Sequence, residues 1–128
     1  MQQDFEKQAG LQAQQMIEAD FVNPPSLTDL ANASGISPYQ MSRLFYRVNQ
    51  ITIPHYIRKL RTDRAEELLR TTNRAIGQVA TEVGYMSISA FCRAFFREKG
   101  KLPSDMRRDP SDQLRERRAA ALTGGFAA

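Results

Sequence analysis

Apolar positions recur along this chain at intervals of three and four, and the runs stop and restart at prolines and glycines. The first run spans residues 1–22, with Ala9, Ala13, Met16, Ile17 and Phe21 on one face. Gly10 interrupts it, and Asn23-Pro24-Pro25 is expected to end it, since proline cannot continue a helix. Ser26 then stands as an N-cap, with Asp29 as an imperfect capping box, before a second helix whose buried stripe is Leu27, Leu30 and Ala31. Gly35 supplies a turn through positive φ. Ser37-Pro38 opens a third helix, in which Met41, Leu44, Phe45 and Val48 follow at i, i+3, i+4 and i+7. Thr52-Ile53-Pro54 starts a long helix reaching about Thr71, with Ile57, Leu60, Ala65, Leu68 and Leu69 as its apolar seam. Thr72-Asn73 breaks it and is placed to cap a fifth helix carrying Ile76, Val79, Ala80 and Val83. Gly77 inside that helix costs up to ~1 kcal/mol relative to Ala, and the sequence offers no reason for it. Gly84-Tyr85-Met86 turns the chain, and Ser87 caps a sixth helix with Phe91, Ala94 and Phe95 inward. Gly100 to Pro103 ends it, and a short last helix from Ser104 packs Met106 on the core. No run alternates with the period of two that marks strands. The expected fold class is therefore all-α, with about seven helices.

The second and third helices are repeated by the fifth and sixth. Leu27-x-x-Leu30-Ala31-x-x-x-Gly35 is answered 49 positions on by Ile76-x-x-Val79-Ala80-x-x-x-Gly84. Beyond the glycine the offset becomes 50, with Ser37, Met41, Arg43, Phe45 and Arg47 answered by Ser87, Phe91, Arg93, Phe95 and Arg97. Each copy reads as a helix, a glycine turn and a second helix, which is the helix-turn-helix design. At 128 residues the chain makes one domain, or two very small ones sharing a helix. The shared helix, at ~1.5 Å per residue, would be ~25 Å long, enough to hold the two units apart at a fixed separation.

Charge sharpens this picture. Residues 1–42 hold one Lys against five acidic residues, whereas residues 43–108 hold 14 Lys and Arg against six acidic residues. The positive stretch begins inside the third helix and runs to the end of the second repeat; it suits a polyanionic partner, and charge alone leaves a merely solvated surface as an equal reading. Arg58, Lys59, Arg61 and Arg64 lie on the N-terminal half of the long helix; surface solubility is the plain reading of such residues and the favoured one for Lys59, while Glu66 and Glu67 are read as solvated. One histidine, His55, and one cysteine, Cys92, cannot build a closed zinc site, and a single cysteine fits a reducing cytoplasm. No apolar run approaches the roughly 20 residues that span a membrane, and the polar, acidic start is unlike a signal peptide. With no nucleophile–base pair, phosphate loop or metal cluster, neither an enzyme nor a cofactor is expected.

Taken together, Leu27/Leu30/Ala31, Gly35-x-Ser37, Leu44-Phe45, Arg61-x-x-x-Ala65-x-x-Leu68-Leu69, Ile76-x-x-Val79-Ala80-x-x-x-Gly84-Tyr85, Phe91-x-Arg93-x-Phe95 and Gly100-x-x-Pro103-x-x-x-Arg107 resemble the DNA-binding domain of the AraC/XylS family of bacterial transcription regulators. The resemblance covers roughly residues 11–108. It implies a DNA-binding domain over 1–108, divided into a first helix-turn-helix subdomain (1–53), a linker helix (54–71) and a second subdomain (72–108). A partly disordered tail would follow over 109–128. It further implies double-stranded DNA as partner, bound by an asymmetric monomer, and activation by recruiting RNA polymerase. The ligand-sensing domain that many family members carry is not visible in this chain, which reads equally as a stand-alone regulator or as part of a longer protein.

The outward positions of the two second helices (about 37–48 and 87–98) carry the candidate DNA contacts. Arg43 and Arg93 can fork onto guanine O6 and N7; gripping phosphate or bracing the turn is the other reading of both. Tyr39 and Ser42 in the first unit, and Ile88, Ser89 and Cys92 in the second, are expected to face the groove, with Ile88 able to meet a thymine methyl. Ser37, Pro38 and Ser87 lie at helix starts, near phosphates, and Arg47 and Arg97 are read as phosphate clamps. Phe91, Phe95 and Phe96 are read as core. Two further readings stay open: a helical protein-binding adaptor using Tyr46, Phe96 and the tail, with DNA binding weak or lost, and a nucleic-acid binder indifferent to sequence.

Overall fold

Hydroxyl caps fix where the helices start. In the computed structural model, which describes residues 2–107, the chain forms α1 (Gln2–Ala19), α2 (Leu27–Ala33), α3 (Pro38–Asn49), α4 (Ile53–Thr71), α5 (Ile76–Glu82), α6 (Ile88–Lys99) and α7 (Pro103–Arg107), with no strand among the described residues. Ser26 and Ser37 close complete capping boxes with Asp29 and Gln40, and Thr52 and Ser87 accept the N–H groups of His55 and Ala90. The expected tail over 109–128 lies outside the described residues.

Three element boundaries and faces differ from expectation. α1 ends at Ala19, before the prolines, because the Asp20 carboxylate accepts the Asn23 N–H (3.0 Å) and turns the chain early. Thr72 does not cap α5. Its hydroxyl donates to the Leu68 carbonyl (2.7 Å) and closes α4 instead, while α5 starts after Ala75, whose N–H goes to the Gln78 side chain (3.0 Å). Leu27 is exposed rather than buried, since it is the first residue of a seven-residue helix and only Leu30 and Ala31 reach the core.

Two apolar cores form. The first gathers Ala9, Ala13, Ile17, Leu30, Ala31, Met41, Leu44 and Phe45 from α1, α2 and α3. The second gathers Ala65, Leu68, Leu69, Val79, Ala80, Val83, Phe91, Phe95 and Met106 from α4 to α7. α4 serves both: its first turns lay Ile53, Tyr56, Ile57 and Leu60 against the first core, and its last turns supply the second. The two glycine turns are built alike. Gly35 and Gly84 have φ of +67° and +108°. The next residue's N–H returns to the small buried alanine, Ile36 to Ala31 (3.1 Å) and Tyr85 to Ala80 (2.9 Å).

Two other glycines are explained by distant neighbours. A Cβ on Gly10 would lie 2.7 Å from the Cβ of Val48, so this glycine lets α1 and α3 touch. A Cβ on Gly77 would lie 3.2 Å from the Ile88 Cδ1, so the start of α6 rests on α5 there.

Charged side chains fasten α6 to α4. Glu98 accepts from Arg58 (2.6 Å) and lies 3.2 Å from the His55 ring nitrogen. Burial would raise the Glu98 carboxyl, but the bonds from Arg58 and His55 outweigh it and hold its pKa below the ordinary value. One residue on, Lys99 pairs with Asp63 and with Glu66 (3.0 Å). Glu66 is therefore not simply solvated, and the Lys99 hydrogen bond, against the opposing effect of burial, lowers its pKa.

Two expected outcomes follow from this packing. Gly10→Ala gains helix propensity yet meets Val48, so it should lower stability by about 1–3 kcal/mol, with Val48→Ala restoring part of the loss in a double-mutant cycle; stabilisation by Gly10→Ala would contradict the contact. Because the folded pKa of Glu98 is depressed, its contribution is present above the unfolded carboxyl value of about 4.3 and is lost as pH falls through the folded one. Thermal melts from neutral to acid pH should show a flatter acid limb for Glu98→Gln than for the parent chain, and parallel acid limbs would refute the pairing.

Candidate nucleic-acid interface

The second helix of each helix-turn-helix unit shows one face to its core and one to solvent. On α3, Met41, Leu44 and Phe45 point inward, and Tyr39, Ser42, Arg43, Tyr46 and Arg47 are exposed. Ser37 and Pro38 sit exposed at its start. The Arg43 guanidinium donates to the Tyr39 hydroxyl (2.8 Å) and lies 5.5 Å from that ring's centre. This contact pre-orders both side chains while leaving most of the guanidinium's donors open. Arg47 is ion-paired to Glu6 of α1 (2.7 Å), with half of its side chain still exposed.

On α6, Phe91 and Phe95 point inward, and Ser87, Ser89, Arg93 and Arg97 are exposed. Among the described residues neither Arg93 nor Arg97 has a hydrogen-bond or ion-pair partner. Ile88 is 54% exposed, so part of it remains free while its tip rests over Gly77. Two expectations about this helix are corrected. Cys92 does not stand free on the outer face; it is half-buried against the second core, one turn after the residue that leans on α5. Phe96 is not core. It is 56% exposed, because Phe91 and Phe95 already fill the inward positions, their rings 5.7 Å apart.

The sequence did not single out Glu6, and it left the surroundings of Arg58 and Arg61 open. Glu6 holds Arg47 across 41 positions. Arg58 and Arg61 are partly buried between the two units. Arg61 donates to the carbonyls of Phe21 (2.9 Å) and Val22 (3.1 Å) and lies 5.3 Å from the centre of the Tyr85 ring. Burial raises the Tyr85 hydroxyl pKa, and the Arg61 and Arg58 charges oppose the rise. The basic run along α4 was the available signal, but nothing local distinguishes the buried arginines from exposed Lys59 and Arg64. Among the described residues no cluster of His, Cys, Asp or Glu could hold a metal ion, and no helix is long and apolar enough to cross a membrane.

Comparison with known proteins agrees with this geometry. A family profile described as a helix-turn-helix domain matches residues 30–109. The regulatory protein SoxS of Salmonella typhimurium is 37% identical over 91 residues, covering 71% of this chain and 85% of that protein. Among solved structures, the C-terminal domain of AraT, a response regulator from Geobacillus stearothermophilus, superposes with a TM-score of 0.73 at 30% identity, over 79% of this chain and 84% of that one. A transcriptional regulator of Chromobacterium violaceum with an AraC-type DNA-binding domain gives 0.69 at 29% identity, over 78% and 90%. The chain belongs to the AraC-type helix-turn-helix family of DNA-binding transcription regulators.

Proposed function

We propose that the chain reads double-stranded DNA by sequence, as one asymmetric monomer, with α3 and α6 entering successive major-groove segments about 34 Å apart. The observation that carries this reading is the repeated register of an exposed arginine, Arg43 on α3 and Arg93 on α6, each on the face opposite a buried phenylalanine-containing core. A surface needing only solubility has no reason to repeat that placement across two units. In this reading Arg43 and Arg93 contact bases, and Tyr39, Ser42, Ile88 and Ser89 line the groove. Ser37, Pro38 and Ser87 approach phosphates with their helix starts, and Arg47 and Arg97 clamp the backbone. The half-buried Cys92 contributes through its exposed edge. Residues 1–53 and 72–108 act as the two reading subdomains, with 54–71 as the linker helix.

With no partner among the described residues, Arg93 and Arg97 leave α6 ready to bind, whereas α3 must release Arg47 from Glu6 before that side chain can take a phosphate. We extend to this chain the family's common mode, activation by recruiting RNA polymerase; transcription reconstituted from a promoter carrying the site measures that directly. A second reading, a protein-binding adaptor, draws on the exposed rings of Tyr46 and Phe96.

Selection of duplexes from a random pool of about 25 base pairs, long enough for two groove segments, separates these readings. Two enriched half-motifs are expected; no enrichment, with affinity set by salt alone, would favour the adaptor or an indifferent binder. On the selected duplex, Arg93→Ala should relax discrimination at one base position, worth about 1–3 kcal/mol. Equal weakening on every sequence would make Arg93 a phosphate contact instead.

A further inference from the structure

Four arginines border one cleft. It lies between α4 and α6, has a volume of about 580 Å³, and takes Arg58 and Arg61 from the first helix and Arg93 and Arg97 from the second. Among the described residues only Arg58 has a carboxylate partner there, Glu98. Arg61 is hydrogen-bonded to two carbonyls and stacked near Tyr85, contacts that hold the group but cancel none of its charge. Arg93 and Arg97 have no partner among the described residues. Among the described residues, three guanidinium groups without a carboxylate therefore border a cleft walled partly by Pro54 and Ile57. Elsewhere along α4 the chain neutralises its charges: Lys99 sits between Asp63 and Glu66, and Arg64 pairs with Glu67. Like charges left to converge without a carboxylate repel one another unless an anion joins them.

The position of the cleft narrows the choice of anion. Pro54 begins α4 directly after α3 ends, and Arg93 and Arg97 belong to the exposed face of α6. The cleft thus lies between the two candidate reading helices, where a duplex engaging both would carry its backbone across. We propose that this cleft is a phosphate-binding site, and that its ligand is the DNA backbone between the two half-sites. The proposal rests on the DNA-reading function above and adds to it an anchor in the linker helix. Arg61 and Arg97 supply affinity and register in the cleft, whereas Arg93, at its border, supplies sequence choice with the other groove-facing side chains.

The test scans the selected duplex with single neutral methylphosphonate linkages across the segment between the half-motifs. It uses the parent chain and Pro54→Glu. Pro54 is exposed in the first turn of α4, where an acidic side chain suits the helix, so Pro54→Glu should fold and melt like the parent. One or two adjacent neutral linkages should weaken parent binding about tenfold, the size of one charge-assisted contact. Pro54→Glu should bind the normal duplex about tenfold more weakly and be indifferent to the same linkage. Its base preferences within the half-motifs should be unchanged, and the slope of log affinity against log salt should become shallower by about 1. A duplex bound through two half-motifs with no linkage coupled to Pro54→Glu would overturn the proposal while leaving the DNA-reading function intact.

A second arm uses inorganic pyrophosphate alone, followed by the side-chain NMR signals of the arginines. If no duplex is bound but pyrophosphate shifts the Arg58, Arg61, Arg93 and Arg97 signals in the parent and not in Pro54→Glu, the function above fails. The cleft then stands as a site for a free phosphate compound. If neither duplex nor pyrophosphate binds, both fall.

Discussion

One guanidinium joins the two halves of this molecule. Arg61, midway along α4, donates to the carbonyls of Phe21 and Val22 in the loop after α1 and lies against Tyr85 in the turn before α6. It therefore touches the first unit's loop and the second unit's turn at once. Gly84 completes the junction: a Cβ there would lie 2.9 Å from both the Arg61 Nε and the Val22 carbonyl oxygen. Its positive φ is required by the turn, and its missing side chain by the close approach. The second unit repeats the arginine device at its own far end, where Arg107 reaches the carbonyls of Leu69 and Thr72 (3.4 Å each) at the end of α4. Each unit is thus closed by an arginine from its trailing helix onto carbonyls at or just beyond the end of its leading helix.

Function depends on this junction because two short reading helices discriminate well only at a fixed separation. Each unit alone is small, and its core of a few apolar side chains is marginal. Sharing α4 makes the two cores support one element. The charged contacts of Glu98 and Lys99 then set the rotation of α6 about it. The first unit is held differently. Its reading helix packs on α1 through the Gly10–Val48 contact, and Glu6 of the same helix holds Arg47. The arrangement leaves the arginines of α6 open and engages those of α3, so the two units meet a duplex in different states of readiness.

Local chemistry was legible in the sequence, and long-range chemistry was not. The repeat, the glycine turns, the caps at Ser26, Ser37, Thr52 and Ser87 and most of both cores follow from spacing alone, because each depends on neighbours within a few residues. Gly10 and Gly77 looked like flaws because their reasons, Val48 and Ile88, lie outside their own helices. The surroundings of Arg58 and Arg61 stayed open because their partners stand about 40 positions away. Periodicity also misjudged the edges of faces: Leu27 falls outside the core at a helix start, Phe96 falls outside it beside two phenylalanines, and Cys92 falls partly inside it. At the candidate interface the outward arginines were recoverable from the repeat register, whereas the contacts that restrain or free them were not.

The central claim is that the Arg61 junction makes the two reading helices one rigid ruler. Affinity for the selected duplex, measured while the segment between the half-motifs is lengthened one base pair at a time, tests this most directly. The account predicts a sharp optimum. Binding should fall towards that of a single half-motif once about five added base pairs have turned the second half-motif to the opposite face of the duplex. Affinity that stays level across those insertions would show two independently tethered units and contradict the account.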